Sequence, residues 1–79
     1  MKEVVIYSKP DCCLCEEALQ VLVRVQRVFP FALKKINILT DNDLYDKFKD
    51  QIPVVYIQSK KVFKYRVDEP KLLRLLQFS

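Results

Sequence analysis

A chain of 79 residues with 51% hydrophobic and 30% charged side chains has the length and balance of one folded domain, residues 1–79, and is not the composition of a disordered chain. Its net charge of +4 comes from 14 basic residues scattered among 10 acidic ones, enough for weak steering of anionic partners but without the basic stripe that nucleic acid requires. No run approaches the roughly 18 apolar residues of a membrane span, so a soluble protein with no membrane partner is expected. The absence of any glycine excludes a P-loop and a dinucleotide fingerprint, both of which need close backbone approach to phosphate.

Met1-Lys2-Glu3 has too little charge and leads into too short an apolar run for a secretory signal. The chain is therefore expected to start near Met1 and to act in the cytoplasm. Residues 3–7 (Glu3-Val4-Val5-Ile6-Tyr7) are β-branched and apolar, which predicts a strand covered on both faces, stopped by Ser8-Lys9-Pro10. Asp11 is placed to cap the helix that follows. From Cys13 to Phe29 the polar residues Glu16, Glu17, Gln20, Arg24 and Arg27 trace one narrow stripe, and the rest is apolar, which predicts a helix largely buried against a sheet and stopped by Pro30.

Residues 31–38 predict a second, more polar strand near an edge. Strand, helix and strand then make a right-handed βαβ unit with parallel strands. Thr40-Asp41-Asn42-Asp43 supplies cap residues for a short helix from Leu44 to about Asp50, with Leu44, Tyr45 and Phe48 facing inward. Next, Gln51-Ile52-Pro53 opens a strand through Ile57, and an X-Pro bond in a turn is where a cis peptide would occur. Gln58–Lys61 separates it from a half-exposed strand, Val62–Val67, in a hairpin whose turn lacks glycine and asparagine. Of the basic group Lys60, Lys61, Lys64 and Arg66, the last two read as the wet face of a last strand, where such charges discourage edge-to-edge pairing. Asp68-Glu69-Pro70 opens a closing helix with Leu72, Leu73, Leu75 and Leu76 on its apolar face.

The three cysteines fall within four positions, so they cannot staple a small secreted fold, and their role is chemical, metal-binding or incidental. Cys12 and Cys15 stand three apart, on one face of a helix and within reach of a disulfide. A thiol at a helix N-terminus lies where unpaired N–H groups and the macrodipole favour its thiolate. Cys12, nearest that end, is the expected nucleophile, with Lys9 adding a positive field and Asp11 opposing it. Cys15 is the expected resolving thiol. Cys13 reads as a partly exposed spectator, with a role as an alternative resolving thiol left open.

The stretch Tyr7-Ser8-Lys9-Pro10-Asp11-Cys12-Cys13-Leu14-Cys15 closely resembles the active-site segment of glutaredoxins, and Ile52-Pro53-Val54 looks like the cis-proline segment that faces the thiols in that fold. The resemblance implies an α/β, thioredoxin-like chain of order β-α-β-α-β-β-α. Its four-stranded mixed sheet would have helices on both faces and strand order 2-1-3-4, the third and fourth antiparallel to the first two. It also implies a disulfide oxidoreductase in which the backbone beside Pro53, at Ile52, pairs with an extended thiol substrate, and Lys9 assists. Its partners would be protein or small-molecule disulfides, with glutathione or a thioredoxin-reductase-type enzyme as reductant and no bound cofactor or metal. Two features depart from the glutaredoxin pattern. Cys13-Leu14 stands between the cysteines in place of Pro-Tyr, and Tyr65-Arg66-Val67-Asp68-Glu69 stands where a Gly-Gly pair would help hold glutathione. The two carboxylates there argue against glutathione and leave dithiol exchange intact. Two readings of other classes are a thiol-ligated metal or iron–sulfur carrier, which would need a dimer because three thiolates and no histidine cannot close a four-ligand site, and an idle interaction module with this fold.

Overall fold

The computed structural model describes residues 2–78. Along the chain run β1 (Glu3–Ser8), α1 (Cys13–Gln26), β2 (Ala32–Asn37), a 3-10 turn (Ile38–Thr40), α2 (Asn42–Phe48), β3 (Val54–Ile57), β4 (Lys60–Lys64) and α3 (Glu69–Phe78). The expected order of elements is the one found, and the strands lie side by side as β2-β1-β3-β4. β1 is parallel to β2 and antiparallel to β3. β4 is antiparallel to β3 and so runs in the same direction as β1 and β2, which corrects the expectation that it would oppose them. A two-residue hairpin permits nothing else.

That hairpin closes without the glycine or asparagine such a turn usually carries. Gln58 and Ser59 take φ of 49° and 69° between the paired residues Ile57 and Lys60, the left-handed pair of a type I′ turn. β4 therefore begins two residues before the expected Val62. It ends at Lys64, because Tyr65 turns to φ 69°. Its lysines are exposed on the sheet's outer strand, as expected of an edge, while Arg66 lies beyond the strand.

Alternation along β1 and β3 splits the interior in two. Val4, Ile6, Val55, Ile57 and Phe63 point to one side and meet Ala18, Leu22 and Val25 of α1, Leu72 of α3, and Phe31. Val4, Leu22 and Leu72 are wholly buried, and burial of each such side chain is worth about 1.5–3 kcal/mol. On the other side Tyr7, Val54 and Tyr56 meet Ile38 and Phe48, so helices do cover both faces. The Tyr7 and Phe48 rings stack at 4.7 Å, and Tyr56 meets Tyr7 edge-on at 5.5 Å, the offset and edge-to-face arrangements favoured by ring quadrupoles.

α1 is less buried than its composition suggests. Only Cys15, Ala18, Leu22 and Val25 are buried along it, a stripe at helical spacing, while Leu14 and Val23 face solvent. The helix ends at Gln26, short of the expected Phe29, because the N–H groups of Val28 and Phe29 both turn back to the Val25 carbonyl, and Val28 is left exposed beyond it. The sheet covers one side of the helix, and on its flank the Arg24 guanidinium bonds Glu69 of α3 at 2.9 and 2.6 Å. In α2, Phe48 is buried and Leu44 packs partly inward, but Tyr45 points out. Helix α3 is closed by its first-strand neighbour, since Lys2 Nζ donates to the carbonyls of Leu75 and Leu76 at 3.0 and 2.9 Å, a cation on the carbonyls of a helix C-terminus.

Candidate active site

β1 delivers the chain to the thiols with its last residue, Ser8, buried. Lys9 and Pro10 leave the sheet, and Asp11 turns the backbone at φ 60°. Asp11 therefore does not cap α1, as the sequence suggested. The cap is Cys12, extended at φ −107° and ψ 110°, whose Sγ accepts the backbone N–H of Cys15 at 3.3 Å. Its carbonyl takes the N–H of Glu16 at 3.1 Å. The sulfur occupies the place of the Ser or Asp oxygen that ordinarily meets the orphan donors of a first helical turn, and the left-handed turn at Asp11 is what swings it there.

All three thiols are free, with Cys12 half-buried, Cys13 exposed and Cys15 buried. The asymmetry is chemical as well as steric. Burial pushes the Cys15 thiol up from its ordinary 9.0 to about 11, and its hydrogen bond to Cys12 and the charge there add to the rise. The backbone N–H of Lys9, which donates to the Cys15 sulfur, and the Lys9 ammonium pull the other way. Cys15 is thus held as a neutral thiol near pH 7, directly behind a sulfur that solvent can reach.

The Ile52-Pro53 bond is cis. Ile52 and Cys15 are buried members of one apolar cluster, against which Cys12 packs from the rim with Tyr7, Leu44 and Tyr56. Tyr65 N–H bonds the carbonyls flanking Ile52, those of Gln51 at 3.3 Å and Pro53 at 2.9 Å. The N–H and C=O of Ile52 itself have no hydrogen-bond partner among the described residues. The structure therefore brings Cys12, Cys15 and Ile52 together, with Pro53 adjoining. Lys9 sits in the loop with its side chain exposed and its backbone on Cys15.

Near the start of α3, Asp68 Oδ1 accepts the N–H of Lys71 at 3.2 Å, so this carboxylate is already engaged as the α3 cap. A groove of about 200 Å³ runs between α1 and the chain entering α3, lined by Leu14, Glu17, Ala18, Val21, Arg66 and Val67. Among the described residues no group of three or more Cys, Asp or Glu is arranged to hold a metal ion. Sequence reasoning missed Ser8, whose buried position has only one signal in the sequence, a lone hydroxyl at the end of an apolar strand.

The sequence and the fold have counterparts among known proteins. A family model described as a glutaredoxin-like domain (DUF836) matches residues 3–77. A glutaredoxin-like protein of Dictyostelium discoideum, described as a YDR286C homolog, is 38% identical over 72 residues, covering 84% of this chain and 67% of that one. Among solved structures, protein Ne2328 of Nitrosomonas europaea superposes with a TM-score of 0.81 at 28% identity, over 94% of this chain and 89% of its own. Thioredoxin-2 of a malaria parasite superposes at 0.77 with 16% identity, over 100% of this chain and 84% of its own, a likeness of fold.

Proposed function

The chain belongs to the glutaredoxin-like family of thioredoxin-fold proteins, and from that premise we propose that it is a thiol-disulfide oxidoreductase working through Cys12 and Cys15. The observation that carries the reading is the Cys12 sulfur at the mouth of α1, half-exposed and accepting the Cys15 N–H, with the second thiol buried one turn behind it. A backbone donor aimed at sulfur stabilises negative charge there.

In the first step the Cys12 thiolate attacks one sulfur of a substrate disulfide. A Cys12–substrate S–S bond forms, and the other substrate sulfur leaves as thiolate. Cys15 then loses its proton and attacks the Cys12 sulfur. The Cys12–Cys15 bond forms, the second substrate sulfur leaves, and the substrate has gained the two electrons the dithiol has lost. Ile52, with its unpaired backbone beside the cis bond, is the docking edge for an extended substrate, and Lys9 supplies positive charge at the loop. The substrates of this reading are protein or small-molecule disulfides in the cytoplasm. The reductant is a thioredoxin-reductase-type enzyme in preference to glutathione, because the chain entering α3 has no Gly-Gly pair to receive glutathione, and Asp68 and Glu69 stand there instead, engaged by the Lys71 N–H and by Arg24.

The test is reduction of a protein disulfide by the purified chain with excess dithiol. Cys12→Ser is expected to fall to the uncatalysed background while folding as stably as the parent, since serine is itself a good N-cap. Cys15→Ser is expected to stall as the mixed disulfide, and Cys13→Ser to keep most activity. Full activity in Cys12→Ser would overturn the assignment.

A further inference from the structure

The mechanism leaves one buried polar atom unused. Ser8 is 1% exposed, and its Oγ has no hydrogen-bond partner among the described residues. An unpaired buried hydroxyl is destabilising and rare enough in folded proteins to need a reason. Its surroundings supply one. Ser8 and Cys15 are walls of the same cavity of about 60 Å³ under the first turn of α1, completed by Lys9, Pro10, Asp11, Glu16, Leu19 and Lys35. Ser8 and Lys9 also line the adjoining hollow of about 250 Å³ with Pro10, Lys35 and Asn37. The residue next to Ser8, Lys9, already donates its backbone N–H to the Cys15 sulfur.

Resting on the exchange reading above, we propose that Ser8 is a positioning residue for the resolving step, its Oγ–H held in reserve to donate to the Cys15 sulfur when that sulfur becomes charged. Lys9 N–H and Ser8 Oγ–H then form a pair of donors for the resolving thiolate, the counterpart of the Cys15 N–H that serves Cys12. The proton leaves Cys15 into the cavity, which is large enough for water. The electron pair left on sulfur makes the bond to Cys12 as the substrate sulfur departs. In the reduced protein the hydroxyl makes no hydrogen bond to Cys15 or to any other described group, and a small shift of the cavity wall brings it to the sulfur in the resolving step. The charged and titratable groups around Cys15 are Lys9, Asp11, Glu16 and Lys35 lining the cavity, and Cys12, Tyr7 and Tyr56 packed against the cluster that holds it. The lysines favour the charged sulfur and the two carboxylates oppose it, so a neutral donor inside the cavity acts where those charges offset one another.

The experiment loads Cys12 with a thionitrobenzoate group and follows its release by Cys15 as a function of pH. Ser8→Ala is expected to slow release about tenfold at neutral pH and to move the profile up by about one unit, the size of one hydrogen bond to a charged group. Loading of Cys12 should be unchanged. Ser8→Thr should restore the parent profile, and Ser8→Val, of the same shape without the hydroxyl, should match Ser8→Ala and decides the matter if the alanine variant does not fold. Normal release in the parent with superimposed profiles for Ser8→Val and Ser8→Thr would overturn the role of Ser8 alone. An adduct that the parent never releases would overturn the exchange reading and the role of Ser8 with it.

Discussion

Under α1 and α3 the sheet presents Val4, Ile6, Val55, Ile57 and Phe63 to Ala18, Leu22, Val25 and Leu72, an interior of aliphatic side chains with one aromatic at each edge. Across the sheet, Tyr7, Phe48 and Tyr56 make an aromatic cluster, and the same packed cluster takes in Cys15, Ile52 and part of Cys12. The first interior runs along the length of α1 and the sheet, from Val4 to Val25 and Ile57. The second draws on the ends of elements, the first turn of α1, the last turn of α2 and the loop before β3. Mid-element residues are fixed by many neighbours and hold the fold. End residues have backbone donors to spare, and that is what the reacting sulfurs need.

Substitutions can separate the two regions. The largest stability effect is expected in the aliphatic interior, where Leu22→Ala should cost about 2–5 kcal/mol because Leu22 is wholly buried. Denaturant unfolding measures it, and the folded variant should still load Cys12 at the parent rate. A Leu22→Ala protein that is fully stable but slow at Cys12 would erase the distinction between the two interiors.

A smaller, pH-dependent effect belongs to the thiol side. Because the Cys15 thiol is raised to about 11 in the folded protein, the unfolded chain gives up that proton first as pH rises past 9.0. The contribution to stability is therefore complete below about 9, declines between about 9 and about 11, and changes no further above. The stability of the parent minus that of Cys15→Ala, measured across this window, should fall with pH. A difference that rose or stayed flat would contradict the buried neutral thiol. The smallest effect is expected outside both interiors, where Arg24→Ala should cost under about 1 kcal/mol, since the Arg24 and Glu69 side chains are 64% and 39% exposed. Thermal unfolding with and without salt would read it.

What the sequence disclosed follows the same division. The alternation of β1, the spacing of Ala18, Leu22 and Val25 and the cis Ile52-Pro53 bond could be read from residue types, because each rests on a local rule of periodicity or backbone geometry, whereas α1 and α2 end at Gln26 and Phe48, short of the expected Phe29 and Asp50. Three features rested instead on left-handed backbone at residues with no glycine to announce it. Asp11 turns the chain so that Cys12, not Asp11, caps α1. Gln58 and Ser59 close the hairpin early, and Tyr65 ends β4 before Arg66. Asn and Asp visit that region with some ease, Gln and Tyr much less, so only the surrounding sheet pairings could select it. The exposure of Leu14 and Val23 was equally hidden, since an apolar residue on a helix does not say how far its covering layer extends. Ser8 went unnoticed because burial of a hydroxyl becomes meaningful only once its neighbours are known.

The most direct measurement on the central claim is to mix reduced parent protein, and separately Cys15→Ser, with one equivalent of an aromatic disulfide and to map the modified sulfur by mass spectrometry. The expected result is release of both aromatic thiols by the parent with an intramolecular Cys12–Cys15 bond, and a retained adduct on Cys12 in Cys15→Ser. Adducts spread evenly over Cys12 and Cys13, or a parent that never closes the internal bond, would contradict it.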